Sequence, residues 1–355
     1  MIAADRYTSG RIALANLSGS IASLELRRAA GTTFEELLAL SKLLFVRGDL
    51  LGCIADHDRA ELTATEAIAL APGSAGAPYI RAQLAGRFHR FEEAKALLDQ
   101  ALAAGYPGHE VNAERAALLQ ATGRYREALA LRRRLANDDP GIHTLGALAS
   151  LLAEMGEWAA AEHSYVAALA GDEGISPIPC AQLLFEWGVS AMRCGDLDCA
   201  EEIFAELAAI VPAHVPGRGH HAEVALARGR LDAALALVRP LLEISDDPEY
   251  RATYAEILAA RGDDAAAASE ALRAAAEYGS LLARRPEAYA DHAAAFFMGV
   301  GNRPLLAVEL ASKNRKLRDT PRSRRLLARA QRCAAAGPTT ACGSACDLRP
   351  ARQSR

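Results

Sequence analysis

Apolar residues recur along this chain with the period of an α-helix. Residues 181–195 show the pattern, because apolar or small side chains stand at i, i+3, i+4 and i+7 and so share one helix face. They are Leu184, Trp187, Gly188 and Ala191. Gly195 predicts the end of this helix, since glycine readily takes the left-handed conformation of a helix C-terminus. Residues 198–211 repeat the stripe, and Val211-Pro212 predicts a second helix end.

A short phrase recurs seven times and marks the joint between two such helices. It runs as a turn residue, a polar residue, an apolar or aromatic residue, two further residues and a small residue. The turn positions are Gly48, His89, Gly123, Gly156, Gly195, Gly229 and Gly262, separated by 41, 34, 33, 39, 34 and 33 residues. Neither helix of a pair can cover its apolar stripe alone, so the pairs are expected to stack around a continuous core. The longer gaps predict extended helices or loops near 61–78 and 171–181, and the glycines and prolines of 171–181 favour a hinge there.

Composition agrees with helix throughout. Alanine and leucine dominate the apolar half of the 355 residues, only 19 residues are aromatic, and alternating runs of β-branched residues are missing. The sequence therefore predicts an all-α protein.

The repeat resembles the tetratricopeptide repeat superfamily over roughly residues 34–336. The best-matching copies are Trp187-Gly188…Gly195-Asp196-Leu197…Ala200…Pro212 and Gly123-Arg124-Tyr125-Arg126-Glu127-Ala128…Pro140. The resemblance implies a right-handed α-solenoid of antiparallel helix pairs, a tetratricopeptide-like superhelix. The sequence departs from the family pattern where the second small position of the second helix is leucine, at Leu135, Leu207 and Leu241.

Three regions are expected along the chain. Residues 1–31 form an N-terminal helical extension, because Leu14, Leu17, Ile21 and Leu24 have helical spacing. Residues 32–336 form the solenoid, with about seven repeats and a degenerate capping repeat whose helices begin at prolines. Residues 337–355 are small and polar, contain cysteine and are predicted to be disordered.

The family resemblance also implies a function, which is to bind a protein or peptide in a groove lined by the first helix of each pair. Carried onto this sequence, the groove positions mix aromatic or methionine anchors with adaptable polar groups. They are Tyr79, Gln83, Arg87, Glu110, Gln120, His143, Ser150, Glu154, Gln182, Phe185, Met192, Arg193, Glu223 and Glu256. The lysine and asparagine set with which some family members clamp a C-terminal carboxylate is absent. A non-enzymatic scaffold or adaptor is therefore the first hypothesis, with no catalytic residues, no cofactor and no metal.

The alternative is a metal- or redox-handling accessory protein. His214, His220 and His221 lie close together in the sequence, near Cys194 and Cys199, and imidazole and thiolate are suitable metal ligands. Their spacing matches no known ligand pairing, and a polar loop entering a helix is favoured instead. Cys333, Cys342 and Cys346 lie in or beside a basic end, where a lowered thiol pKa would favour redox chemistry, but they lack CxxC spacing.

Charge and targeting features narrow the setting. Residues 311–355 carry 12 basic and 2 acidic side chains, net +10, whereas residues 1–310 carry 28 and 42, net −14. The basic run lacks aromatic residues that would stack on bases, so no nucleic-acid partner is expected. No apolar run is long enough for a membrane span, and seven cysteines without regular spacing do not describe a secreted framework. The excess of arginine (36 residues) over lysine (four) and the many alanines suggest a bacterial, cytoplasmic protein.

Overall fold

The computed structural model describes residues 6–336, and α-helices occupy nearly all of this range. The helices are α1 (Gly10–Ala30), α2 (Phe34–Leu51), α3 (Ile54–Leu70), α4 (Gly76–Arg87), α5 (Phe91–Ala103), α6 (Gly108–Ala121), α7 (Tyr125–Asp138), α8 (Ile142–Glu154), α9 (Trp158–Ala170), α10 (Pro177–Cys194), α11 (Leu197–Ile210), α12 (Val215–Ala227), α13 (Leu231–Val238), α14 (Pro248–Ala260), α15 (Asp264–Arg284), α16 (Pro286–Met298), α17 (Pro304–Leu317) and α18 (Pro321–Ala336). Residues 6–336 contain no strand, which confirms the all-α prediction.

After α1, consecutive helices pack as antiparallel pairs. Helix α2 packs against α3, α4 against α5, α8 against α9, α14 against α15 and α16 against α17. Several pairs also touch the next one along the chain, since α3 contacts α4, α7 contacts α8, α13 contacts α14 and α15 contacts α16. Stacking of this kind gives every apolar stripe a partner and is the fold class predicted from the repeat, an α-solenoid of helix pairs.

The predicted turn residues lie between the two helices of a pair. Gly123 and Gly195 have φ values of 85° and 89°, in a backbone region that residues with a side chain rarely adopt. His89 takes the same place with φ 57°, and Asn302 does so between α16 and α17 with φ 44°. The recurring phrase therefore locates the joint correctly in six of its seven copies.

The first copy is the exception, and the prediction of a turn at Gly48 was wrong. Helix α2 continues through Gly48 to Leu51, and Gly52 turns the chain with φ 59°. A Cβ on Gly48 would lie 2.7 Å from the His57 ring of α3, so this glycine provides room for a close contact. The distance from Gly52 to His89 is 37 residues, which explains most of the long first gap.

Two compact units make up the described range. The first unit takes residues 6–120, 124–190 and 202–217, and the second takes 121–123, 191–201 and 218–336. The segment boundaries of the two units lie at 120–124, 190–191, 201–202 and 217–218. None lies at 171–181, where the sequence favours a hinge. That hinge stays a prediction.

Within the first unit, residues before α1 hold the connection between α9 and α10. The Tyr7 hydroxyl donates to Asp172 Oδ2 at 2.8 Å, and the Thr8 amide donates to the Ile175 carbonyl at 2.9 Å. Helix α1 buries Leu17, Ile21 and Leu24, three of the four residues whose spacing predicted it. The N-terminal helix is therefore part of the packed first unit.

The second helix of the sixth pair is short for a chemical reason. Helix α13 ends at Val238, and a 3₁₀ helix, Arg239–Glu243, replaces its last turns. Pro240 lacks the N–H that an α-helix would use and clashes with the carbonyl one turn earlier.

Close packing at a glycine within a helix leads to a first prediction. A Cβ on Gly188 of α10 would lie 2.6 Å from the Phe204 ring of α11, and Phe204 is 1% exposed. We expect Gly188→Ala to lower the free energy of unfolding by about 1–3 kcal/mol, because the buried ring has no space to move into. Thermal unfolding followed by circular dichroism measures the change.

The matched control for this prediction is Gly19→Ala. A Cβ at Gly19 of α1 meets nothing within 4 Å, and alanine favours helix over glycine by up to about 1 kcal/mol. This variant should melt at or above the wild-type temperature. An unchanged melting temperature for Gly188→Ala would contradict the packing argument.

Candidate functional site

The first helices of the pairs carry polar and aromatic side chains, some of them exposed and some buried. In the first unit, Tyr79 and Gln83 lie one turn apart on α4, and Glu110 and Glu114 lie one turn apart on α6. Residues four apart share a helix face, so each pair projects to the same side of its helix. Four side chains of neighbouring helices can therefore meet.

The structure brings these four residues together with Tyr106, which lies just before α6. The rings of Tyr79 and Tyr106 stack with centroids 4.1 Å apart and planes 17° apart. Gln83 Nε2 donates to Glu114 Oε1 at 2.7 Å, and the Tyr106 hydroxyl donates to Glu110 Oε2 at 3.0 Å. The Tyr79 hydroxyl lies 3.5 Å from Glu114 Oε1. We call Tyr79, Gln83, Tyr106, Glu110 and Glu114 the tyrosine–glutamate surface.

Burial and negative charge perturb the titration of this surface. Burial raises the pKa of Glu114, and the nearby Glu110 carboxylate adds to the effect, against the hydrogen bonds from Gln83 and Tyr79. The pKa values of Tyr79 and Tyr106 are raised by burial and by the same carboxylates. These shifts favour the uncharged forms of Glu114 and of both tyrosines.

A buried arginine of α7 supplies positive charge nearby. Arg132 is 9% exposed, and its Nε donates to Gln120 Oε1 at 3.1 Å. Burial lowers its pKa, while the carboxylates of Glu186 and Glu114 act in the opposite direction. Gln120, one of the predicted groove residues, thus holds a cation within the first unit.

The other predicted residues of the first unit are spread along its first helices. Arg87 Nε lies 3.4 Å from Asp49 Oδ1, Gln182 Nε2 donates to Glu186 Oε1 at 3.0 Å, and the half-buried Phe185 ring packs on His214 at 5.3 Å. The remaining three are the exposed His143 and Glu154 and the half-buried Ser150. None of these is part of the tyrosine–glutamate surface.

In the second unit, a group of imidazoles and carboxylates lies on the first helices α12, α14 and α16. His220 Nδ1 lies 2.8 Å from Glu223 Oε2, and His292 Nδ1 lies 3.2 Å from Glu249 Oε2. Asp291 Oδ2 accepts from Arg318 Nη1 at 3.4 Å. We call His220, Glu223, Glu249, Asp291 and His292 the histidine–carboxylate cluster.

Opposite charges dominate the titration of the histidine–carboxylate cluster. The Glu249 carboxylate raises the pKa of His292 to about 9, against the effect of burial. Burial alone would raise the pKa of Glu249, but His292 outweighs it and lowers that pKa to about 2. Burial opposes the charged form of His220, yet the charge and hydrogen bond of Glu223 raise its pKa. The Glu249–His292 pair is therefore charged at neutral pH.

The remaining predicted residues of the second unit differ in accessibility. Glu223 belongs to the histidine–carboxylate cluster, and Glu256 is half-buried on α14. Arg193 is exposed at the end of α10. Met192 is only 6% exposed, so it offers little surface to a partner.

The histidines considered as metal ligands have separate roles. His214 is 4% exposed, and its Nδ1 accepts the Gly217 N–H at 3.0 Å. His220 pairs with Glu223, and burial lowers the pKa of His221. Among residues 6–336, no three His, Cys, Asp or Glu side chains are arranged to hold a metal ion. The metal alternative therefore gains no support from the described part of the chain.

The cysteines considered for metal or redox chemistry also lie in separate environments. Cys194 donates to the Ala191 carbonyl at 3.1 Å, and burial raises its thiol pKa, which disfavours the reactive thiolate. Cys333 is 5% exposed among apolar residues of α16 to α18. Cys342 and Cys346 lie outside the described residues.

No helix within residues 6–336 has the length and apolarity needed to cross a membrane.

Sequence reasoning missed several residues that build these surfaces. Tyr106 precedes its helix and Arg132 lies on a second helix, so neither occupies a first-helix groove position. Glu114 lies one helical turn after the predicted Glu110, and His220 lies one turn before the predicted Glu223. The sequence could have indicated Glu249 and His292, because both are polar residues on first helices.

Sequence comparison identifies the class of protein to which this architecture belongs. The family model described as "Tetratricopeptide repeat" matches residues 191–257, which include the copy with Gly195-Asp196-Leu197. Over these residues the match confirms the resemblance to tetratricopeptide repeats that the recurring phrase predicted. No curated protein matches the chain.

Solved structures share the fold at low sequence identity. A chain of the Cut9–Hcn1 hetero-tetramer of the APC/C is 16% identical with a TM-score of 0.52, covering 86% of this chain and 59% of that one. A tetratricopeptide repeat protein from Parabacteroides merdae is 19% identical with a TM-score of 0.45, covering 70% of this chain and 94% of that one. YrrB, described as a TPR protein with an unusual peptide-binding site, is 19% identical with a TM-score of 0.30, covering 51% and 88%. The Cut9–Hcn1 likeness supports the fold alone.

The raised pKa of His292 leads to a second prediction. A group whose pKa is higher in the folded protein adds stability below its unfolded pKa, near 6.5, and loses that contribution as pH rises through the folded pKa of about 9. The wild type should therefore lose more thermal stability between pH 6 and pH 10 than the His292→Gln variant does. Melting temperatures of both proteins across this range measure the difference.

The control for this prediction is His163→Gln, since His163 is exposed on α9. Its stability should follow the wild-type pH dependence. If His292→Gln also followed the wild-type curve, the ion pair with Glu249 would not contribute to folding.

Proposed function

We propose that this protein is a non-enzymatic scaffold or adaptor that binds a protein or peptide along the first helices of its pairs. The proposal is supported chiefly by the way in which the helices of the pairs separate core residues from polar and aromatic ones. The small and apolar residues of both helices form the core, while the first helices retain polar and aromatic side chains such as Phe185, Glu154 and Gln182 on another face. Mixed surfaces of this kind suit the recognition of another chain.

The resemblance to the tetratricopeptide repeat superfamily supports the same proposal, since its arrays are known for holding proteins and peptides. We further propose a bacterial cytoplasm as the setting. The excess of arginine and alanine and the irregular cysteine spacing support this setting.

The proposal predicts that partner capture depends on the first-helix face. Glu154 is exposed on the first helix α8, so Glu154→Lys reverses a charge where the partner is expected to lie. Crosslinked capture from cells of the source organism, quantified by mass spectrometry, should show a partner enriched by the wild type and reduced by about tenfold in this variant. Circular dichroism should show unchanged helicity.

The matched control is Glu162→Lys, the same charge reversal at an exposed residue of the second helix α9. This variant should capture the partner as the wild type does. Equal loss in both variants, or loss in the α9 variant alone, would place the binding surface elsewhere and contradict the proposal.

A further inference from the structure

The tyrosine–glutamate surface combines an aromatic wall with two carboxylates on α4 and α6 of the first unit. Tyr79 is 7% exposed beneath the stacked ring of Tyr106, whereas Tyr106 itself is only half-buried. Since one face of the Tyr106 ring is covered by Tyr79, its accessible area lies on the opposite face and the edge. An aromatic face of this kind attracts a cation through the negative potential above the ring.

The carboxylates beside this ring are held mainly by neutral donors. Gln83 and the two tyrosine hydroxyls supply the hydrogen bonds described above, and none of these groups neutralises a charge. The positive charge of Arg132 acts on Glu114, whereas Glu110 lies beside His109, whose Nε2 is 3.9 Å from Glu110 Oε1 and whose side chain is 74% exposed. Glu110 itself is 41% exposed and accessible to a guest.

The wider charge balance of this face is also negative. Glu154 of α8 and Glu186 of α10 join Glu110 and Glu114, and all but Glu110 act on the pKa of the buried Arg132. The buried Arg132 thus lies among three of these carboxylates, and Arg87 of α4 carries a further positive charge. A positively charged guest would relieve the repulsion between Glu110 and Glu114, which are four residues apart on α6.

Resting on the proposed function, we propose that this surface binds a basic segment of the partner chain and seats a lysine or arginine side chain between Tyr106 and Glu110. The ammonium or guanidinium group forms a charge-assisted hydrogen bond with the carboxylate, and the aliphatic stem packs on the tyrosine ring. A bare metal ion fits less well, because no group of three or more candidate ligands occurs within residues 6–336. The negative charge along α6 and α8 extends the attraction to further basic residues of the same segment.

The test begins with a selection from a random dodecapeptide phage library on the immobilised full chain. The peptides selected by the wild type should be enriched in lysine or arginine relative to the library. A parallel selection on the Glu110→Gln variant should lose this enrichment, because the amide retains the shape of the side chain without its charge.

The affinity of the most enriched peptide is then measured by isothermal titration calorimetry. Glu110→Gln should weaken binding about tenfold, and Tyr106→Leu about fivefold through loss of the ring face. Raising the salt concentration should weaken binding to the wild type. The control Glu162→Gln removes an exposed carboxylate from the second helix α9 and should leave the affinity unchanged.

The outcomes separate this inference from the function on which it rests. Selected peptides without basic enrichment, or equal affinity for the wild type and Glu110→Gln, would overturn the cation site and leave the scaffold in place. If no peptide were enriched by the wild type, the proposed peptide-binding function would fail, and the cation site would fail with it.

Discussion

Close approach between helices at residues with little or no side chain is the constraint on which the rest of this structure depends. Gly188 leaves room for the Phe204 ring, Gly146 for Leu183 and Gly48 for His57, and in each case a Cβ would stand less than 3 Å from the neighbouring side chain. The alanines at the small position of the recurring phrase are buried, and Ala200 has no exposed surface. Because the helices are nearly in contact, small side chains and a few large rings fill the core. This explains why a chain with so few aromatic residues can still bury a well-packed interior.

Because small residues and a few large rings form the core, the other faces of the first helices can differ from pair to pair. In the first unit they carry stacked tyrosines and carboxylates held by neutral donors, whereas in the second unit they carry imidazoles paired with carboxylates. The physical consequences differ. The Glu249–His292 pair largely satisfies its own charge, whereas Glu110 and Glu114 repel one another, and the buried Arg132 offsets part of the charge of Glu114. One repeat pattern therefore supports one surface that is electrostatically self-contained and another that favours a cationic guest.

The resemblance to tetratricopeptide repeats and the chemistry of these faces contribute different parts of the functional conclusion. The family match over 191–257 and the stacked helix pairs show tetratricopeptide-type repeats. The identity of the guest has to come from the side chains, because the same fold serves many unrelated partners. In the first unit, the charge of Glu110 and the ring of Tyr106 favour a basic guest.

The sequence by itself determined the helices, their pairing and most of the joints between them. These features depend on local rules, since a helical stripe, a glycine able to take positive φ and a proline that ends a helix all act within a few residues. It also identified Tyr79, Gln83 and Glu110 as surface residues of interest. Only the tertiary structure decided that Gly52 turns the chain where Gly48 was expected to, that Tyr106 covers Tyr79 and that Arg132 reaches Gln120 from a second helix. Such contacts join residues on different elements, and their existence depends on how far the helices approach one another, a distance that periodicity along the chain does not encode.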